Sequence, residues 1–199
     1  MGLVIGIVIA VVVLLMVLWV ITGYNKLIRY RNGYQNAFAQ IDVQLQRRFD
    51  LIPNLVETAK AYMAHERQTL EAVTQARGAA IAGLSAAKAS PGDPAAMQQL
   101  AQTQGALASA LGRFTAIAES YPDLKASANM QQLSEELTST ENKVAFSRQA
   151  FNDAVLKYNN QRQVFPTSVL AGMFHFTPAA LWEIAPDHPE TREAPKVQF

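Results

Sequence analysis

The sequence predicts an all-α protein: an N-terminal transmembrane helix over residues 1–22, a long antiparallel four-helix bundle over 23–165, and a Pro-rich apolar tail over 166–199. Three observations predict it. Residues 3–21 read LVIGIVIAVVVLLMVLWVI, with no charge and no strong hydrogen-bonding side chain. Downstream, apolar residues recur at alternating spacings of four and three, the period of a helix that buries one face. No stretch shows the period-two alternation, bounded by turn residues, that marks a strand.

The apolar run comes first. At 1.5 Å per residue it reaches roughly 28 Å, close to the hydrocarbon thickness of a bilayer. Leu3, Val4, Ile5, Gly6, Ile7, Leu14, Leu15, Trp19 and Ile21 lie in this span. The competing reading is a cleaved signal peptide, which needs a basic leading region, a shorter apolar run and small residues at the cleavage site. Here no Lys or Arg precedes the run, and Thr22-Gly23-Tyr24-Asn25-Lys26 follows it, so a retained anchor is expected. Lys26, Arg29 and Arg31 lie just past the run, and the first acid is Asp42. The positive-inside rule then places the following domain in the cytoplasm and the N-terminus outside. Gly2, Gly6 and Ala10 are spaced by four, which lets two membrane helices approach closely. They form a candidate oligomer face, on residue types that membrane helices use freely in any case.

Four helical stretches follow. In the first, over 23–49, Tyr34, Phe38, Ile41, Leu45 and Ile52 form a stripe, as in bundles and coiled coils. With only Gly23 to weaken the junction, the membrane helix is expected to continue into it. Asp50 is a good N-cap and Pro53 suits a first turn, so a new helix is placed here, with one long helix kinked at Pro53 as the alternative. The second stretch, over 51–84, carries Leu55, Ala59, Tyr62, Glu66, Val73 and Ala80 on one seam, with Leu70 beside it. A loop over 86–94 follows, and Asp93 with Pro94 opens the third stretch, over 94–120, whose Leu100, Leu107, Leu111, Phe114 and Ala118 share a face. Tyr121-Pro122-Asp123 ends it. The fourth, over 129–165, runs Leu133, Leu137, Thr140, Val144, Arg148, Phe151, Val155, Tyr158, Arg162 and Phe165 without a slip. Isolated helices are marginal in water, so these stripes must bury one another, most simply as an antiparallel bundle.

Composition excludes several chemistries. The net charge is +1, a weak overall charge that argues against a nucleic-acid binder, which normally shows a basic face. There is no cysteine, hence no disulfide, thiolate metal site or thiol nucleophile. Of His65, His175 and His188, none lies three after a Glu, as a di-metal bundle needs, and no His-Glu-x-x-His zinc motif occurs. Phosphate-binding Gly motifs and the Gly-x-Ser-x-Gly elbow are also missing. Glu135-Glu136 reads as solvated surface. No catalytic, cofactor or metal residue is assigned.

Polar residues interrupt the seams. Arg48, Glu66, Arg148 and Arg162 stand where a plain bundle places Leu, and Arg47 and Asp50 adjoin them. Asp42, Glu57, Asn152, Asp153 and Asn159 lie within about a turn. A buried unpaired guanidinium is very costly. Either the long stems reach outward to water, or Arg47, Arg48, Asp50, Glu66, Arg148 and Arg162 form a buried polar layer that fixes register, or they serve a ligand or partner. The pairing expected is Arg47 or Arg48 with an acid of the second or fourth stretch.

The tail holds five prolines among Val169, Leu170, Met173, Phe174, Phe176, Leu181, Trp182 and Ile184. Disorder favours polar composition, so docking is expected, on the bundle, a neighbouring subunit or the membrane interface. Phe174, Phe176, Leu181 and Trp182 are the candidate contacts. Lys196-Val197-Gln198-Phe199 could add as a strand to a partner's sheet edge.

Several of these residues carry a resemblance. Tyr24-Asn25-x-Leu27-Ile28, the block Ile41-Asp42-Val43-Gln44-Leu45-Gln46-Arg47-Arg48-x-Asp50-Leu51-Ile52-Pro53-Asn54-Leu55-Val56-Glu57-Thr58, His65-Glu66 and Ala76-Arg77 resemble the LemA family of bacterial membrane proteins. So do Glu141-Asn142-Lys143-Val144-Ala145-Phe146-x-Arg148-x-x-Phe151-Asn152, Tyr158-Asn159-Asn160 and Phe165-Pro166. The resemblance covers nearly the whole chain. Phe151 stands where the family often has Tyr. The family implies a membrane helix with its N-terminus outside, a helical bundle on the cytoplasmic side of the bacterial inner membrane, and no established enzymatic activity.

The expectation is a non-catalytic, membrane-anchored scaffold that self-associates and presents helical surface to other membrane proteins. The alternatives are a membrane-tethered hydrolase or metal enzyme with a site in the bundle, and a transmembrane sensor. Partners expected are the lipid bilayer, further copies of the chain and unidentified membrane proteins, with no nucleic acid and no cofactor.

Overall fold

The computed structural model describes residues 1–183 and contains six helices and no strand among them. They are α1 (Gly2–Lys60), α2 (Arg67–Ala89), α3 (Pro94–Ala118), α4 (Pro122–Ala126), α5 (Ala128–Gln163) and α6 (Thr167–Met173). The Lys196–Phe199 strand expectation lies outside the described residues, as do Ile184 and the last three prolines.

α1 corrects the expected helix start at Asp50. It is one helix of 59 residues with Pro53 inside it, and Asp50 is an exposed mid-helix residue. At about 1.5 Å per residue it is some 88 Å long. A mid-helix proline deprives the carbonyl four residues earlier of its N–H partner. Here that carbonyl belongs to Phe49, and it accepts a hydrogen bond from Arg77 Nε of α2 at 2.7 Å. The helix passes through Pro53 because a neighbouring helix supplies the missing donor.

The expected second stretch is corrected in the other direction. The chain leaves α1 at Lys60, turns over residues 61–66 and re-enters a helix at Arg67. Leu55 and Ala59 therefore belong to α1, while Leu70, Val73 and Ala80 belong to α2. The turn tucks Met63 fully inside, four after Ala59, which keeps the sequence period intact across a break in the backbone. Tyr62, assigned to the seam, is exposed.

The next turn is shorter than the loop expected over 86–94, because α2 runs on to Ala89, but its cap is the one the residues predict. The Asp93 carboxylate accepts from the Ala96 N–H at 2.9 Å, with Pro94 at the first position of α3. Gly92 sits at φ +84°, and a Cβ there would lie 2.9 Å from the Ala179 methyl and 3.2 Å from the Tyr34 ring. Both the left-handed backbone and the close contact require glycine.

The long helices alternate in direction. α2 returns along α1, bringing Lys88 Nζ to Asp42 Oδ2 at 2.7 Å. α3 runs out again and delivers Tyr121 to the turn, where its hydroxyl donates to Glu66 Oε1 at 3.1 Å. α5 comes back down α1, with Glu141 beside Arg48 and Phe151 against Phe38 at 5.7 Å between ring centroids. The closest pairs are α1 with α5 and α2 with α3, with α1 also against α2. One core runs through these contacts, from Leu27, Tyr34, Phe38, Ile41 and Leu45 through Leu107, Leu111 and Phe114 to Phe151, Val155 and Tyr158. The last predicted seam residue, Phe165, is instead mostly exposed, because α5 has ended at Gln163.

A double-mutant cycle tests the Pro53 arrangement. Arg77→Met should destabilise the full-length protein in detergent by about 1–3 kcal/mol, the cost of an unsatisfied buried carbonyl. In a Pro53→Ala background the same change should cost clearly less, since the backbone N–H restored at that position can reach the Phe49 carbonyl. Urea unfolding followed by circular dichroism reads both; equal costs in the two backgrounds would remove Arg77 from this role.

Candidate interaction site

The polar seam residues do not gather into one layer. Arg48 is buried, and its Nη2 donates to Glu141 Oε1 on α5 at 2.8 Å. Burial pushes the Arg48 guanidinium below its usual range, and the Glu141 charge and hydrogen bond draw it back up. Arg47 and Asp50, expected in the same layer, are exposed. They sit on either side of Arg48-Phe49, at positions that a 100° step per residue turns away from the core. Glu66 lies in the turn at the far end of the bundle with Tyr121. Arg148 and Arg162 lie further along α5, half-buried and apart from Arg48.

Arg148 and Arg162 instead face the tail. From α6 onward the chain runs without regular structure over 174–183 along α5. Phe176, Ala179 and Trp182 are buried at intervals of three, the period of a polyproline-type extended strand. The Arg148 guanidinium lies 5.9 Å from the centre of the Trp182 ring, and Arg31 lies 5.5 Å from that of Phe176. Phe174 and Phe176 meet the Tyr24 ring edge-on at 4.9 and 5.7 Å. Leu181 is half-buried against the core.

Two asparagines hold the backbone of this segment. Asn152 Nδ2 donates to the Trp182 carbonyl at 3.1 Å, and the Trp182 N–H donates to Asn152 Oδ1 at 2.9 Å. Asn159 makes the same pair of bonds with Ala179, at 2.8 and 3.0 Å. Each side-chain amide thus pairs with the backbone N–H and C=O of a single residue, as a residue of a neighbouring antiparallel strand would. The spacings match: seven residues of α5 rise about 10.5 Å, and three residues of extended chain advance roughly 9–10 Å. The Tyr158 hydroxyl donates to the Thr177 carbonyl at 2.8 Å, and the Ala180 N–H donates to the Gly92 carbonyl at 2.8 Å. The segment is thus held by its backbone through Asn152, Asn159, Tyr158 and Gly92, and by its side chains through the burial of Trp182.

Sequence reasoning places Asn152 and Asn159 near the seam but gives them no role. Their signal is present all the same: two asparagines at heptad spacing beside buried positions, and a downstream apolar period of three. What the arrangement holds is the chain's own segment over 177–182, by its backbone. Among the described residues no group of three or more His, Cys, Asp or Glu could hold a metal ion.

With the apolar N-terminal helix, the helices packed on it and the docked tail in place, comparison with known proteins is decisive for the family: the LemA family model matches residues 37–199. The chain belongs to the LemA family. Magnetosome protein MamQ 2 of Paramagnetospirillum magneticum is 24% identical to it over 181 residues, 82% of this chain and 65% of that protein. Protein LemA of Metamycoplasma hominis is 26% identical over 147 residues, 74% of this chain and 63% of that protein. Magnetosome protein MamQ of Magnetospirillum gryphiswaldense is 25% identical over 166 residues, 74% of this chain and 60% of that protein. The chain thus spans less than two thirds of the length of these relatives. The LemA match takes in Arg48, Arg77, Glu141, Asn152, Asn159 and Trp182; the apolar run over 3–21 precedes it.

Replacing either clamp should free the tail. Asn152→Leu leaves the Trp182 N–H and carbonyl without partners and should cost about 1–3 kcal/mol. The expected readouts are a red shift of Trp182 emission, measured with Trp19→Phe as background, and faster proteolysis within 174–183. Asn152→Asp keeps the acceptor but loses the donor, and should give a weaker version of the same effect. An unmoved spectrum in Asn152→Leu would remove the clamp's role.

Proposed function

We propose that this LemA-family chain is a membrane-anchored, non-catalytic assembly scaffold. It sits in the inner membrane with its N-terminus outside and its helical domain in the cytoplasm, self-associates, and presents helical surface to other membrane proteins. The observation that supports this reading is the two-part character of α1. Its N-terminal portion has a mean hydropathy of 3.4 over its most apolar window, none of it buried. A helix apolar on every face suits lipid. The same helix, without a break, then becomes the column against which α5 and α2 pack. Such a column fixes the domain relative to the bilayer, which suits holding partners in place.

Two surfaces serve association. Around Gly2 and Gly6 no side chain comes within 4 Å of a Cβ position, so the small-residue face of the span is open to a second helix. On the cytoplasmic part, Phe146 is 77% and Val43 58% exposed. Phe146 lines a shallow groove between α1 and α5 with Ala37, Gln40, Gln44 and Asn142. Gln44 Oε1 has no hydrogen-bond partner among the described residues. The magnetosome relatives, by name, belong to a structure rather than to a reaction, in keeping with an assembly role.

Mass measurement in nanodiscs tests the proposal. The native chain should assemble into more than one copy per disc. Gly6→Ile combined with Ala10→Ile should shift the population toward single copies without changing helix content. Phe146→Asp should leave the mass alone and reduce crosslinking to neighbouring membrane proteins. A native chain that stays strictly monomeric and captures nothing would refute the scaffold reading.

A further inference from the structure

We propose that the corner formed by the end of α5 and by α6 is a second membrane contact, an interfacial wedge that enters the leaflet beside α1 and binds anionic phospholipid headgroups. It rests on the reading of residues 3–21 as a membrane span.

Position is the first argument. A Cβ at Gly23 would lie 2.5 Å from Leu170 Cδ1 and 3.6 Å from Thr167 Cγ2, so α6 packs directly on α1 two residues after the apolar run ends. Val20, still inside that run, is part-buried against the same core. Any bilayer that holds residues 3–21 therefore brings its interface to α6.

Exposure is the second. α6 turns Thr167, Leu170 and Ala171 toward the core. Its outer side and the turn before it leave Phe165 79%, Met173 65%, Val164 57% and Val169 49% exposed. Elsewhere on the described cytoplasmic part, large apolar side chains this exposed are scattered, as Val43 and Phe146 are. Here all four fall within residues 164–173 and share one end of the bundle. In water such a patch is unfavourable by its apolar area, whereas in the headgroup–acyl boundary it is favoured.

Charge is the third. The adjoining parts of α1 and of the α5-to-tail segment, residues 22–41 and 154–182, contain no Asp or Glu. They carry Lys26, Arg29, Arg31, Lys157 and Arg162. Arg162 Nε is buried without a partner among the described residues, and Arg162 lines an open cavity of about 480 Å³ with Ser168, His175 and Thr177. An apolar wedge ringed by cations with no compensating acid is the complement of an anionic leaflet, where each basic residue near the surface contributes about 1 kcal/mol.

The chain has no cysteine, so single cysteines can be introduced into the full-length protein for spin labelling. The labels go at Phe165→Cys and Val169→Cys, with Val12→Cys inside the span and Phe146→Cys on the groove as references. Each is reconstituted in vesicles of phosphatidylcholine alone or with phosphatidylglycerol, and accessibility to oxygen is compared with that to a water-soluble nickel complex. Expected is a lipid-like ratio at 12, 165 and 169, severalfold above that at 146. With phosphatidylglycerol present, the ratio at 165 should rise further, and combined Lys26→Gln, Arg29→Gln and Arg162→Gln should abolish that rise. An aqueous ratio at 165 and 169 with a lipid-like ratio at 12 overturns the wedge while leaving the anchor standing. An aqueous ratio at 12 overturns both. A site at 165 closed to both reagents means that a second copy covers the corner, and the proposal fails. A phosphatidylglycerol effect cancelled by millimolar inorganic phosphate reveals a free-phosphate site and overturns the headgroup assignment.

Discussion

One helix carries two surface patterns, and the rest of the structure depends on its passing from one to the other without a break. The first third of α1 is apolar around its whole circumference, and the remainder narrows to a stripe of Tyr34, Phe38, Ile41, Leu45 and Ile52. The change of pattern happens at Gly23, where α6 needs the close approach that a missing side chain allows. At the other end, Pro53 threatens the same continuity. The threat is met from outside the helix, by the guanidinium of Arg77 on the Phe49 carbonyl. The continuity of α1 through Pro53 therefore draws on α2, which links the integrity of the column to the packing of the bundle.

That dependence explains what sequence makes legible and what it conceals. The apolar run, the stripes, the Asp93–Pro94 cap and the seam of α5 are local patterns, and local patterns determine them. Pro53 reads as a helix start because Asp50 and Pro53 have the right chemistry for one. The deciding group, Arg77, lies on another helix and has no local signature. The turn over 61–66 is hidden for the opposite reason: Met63 fills the core from a non-helical position, so the hydrophobic period runs on across it. Arg48 is visible as a polar residue on a seam, but its partner Glu141 lies 93 residues away, among acids that look alike in sequence.

The clamp on α5 shows how a bundle can hold an extended segment without a sheet edge. Asparagine suits this better than aspartate, since its amide offers a donor to the carbonyl and an acceptor to the N–H of one residue, while a carboxylate would leave that carbonyl unmatched. The aromatic and cationic contacts then divide the labour. Asn152 and Asn159 fix the path of the backbone and are indifferent to sequence, whereas Trp182 under Arg148 fixes register. Gly92 joins the α2–α3 turn to the same segment through its carbonyl, so the tail ties α5 to the other close pair of helices. What α1 does along one side of the bundle, the tail does along another.

The tail and α6 also bear on which end of the bundle lies beside the apolar run. An even number of long antiparallel helices brings α5 back to where α1 leaves its apolar run, and the chain must then either stop or find cover. It finds cover twice in sequence: α6 packs on Gly23, and the extended segment turns back up α5 to bury Phe176, Ala179 and Trp182. The residues left uncovered at the turn, Phe165, Val169 and Met173, are thus the direct result of a topology that reverses direction beside the span. Had the bundle an odd number of long helices, the same apolar turn would lie at the opposite end of the column from the apolar run. Helix parity, the glycine at position 23 and the exposed corner are in this sense one constraint, imposed by a column whose apolar run lies at only one of its ends.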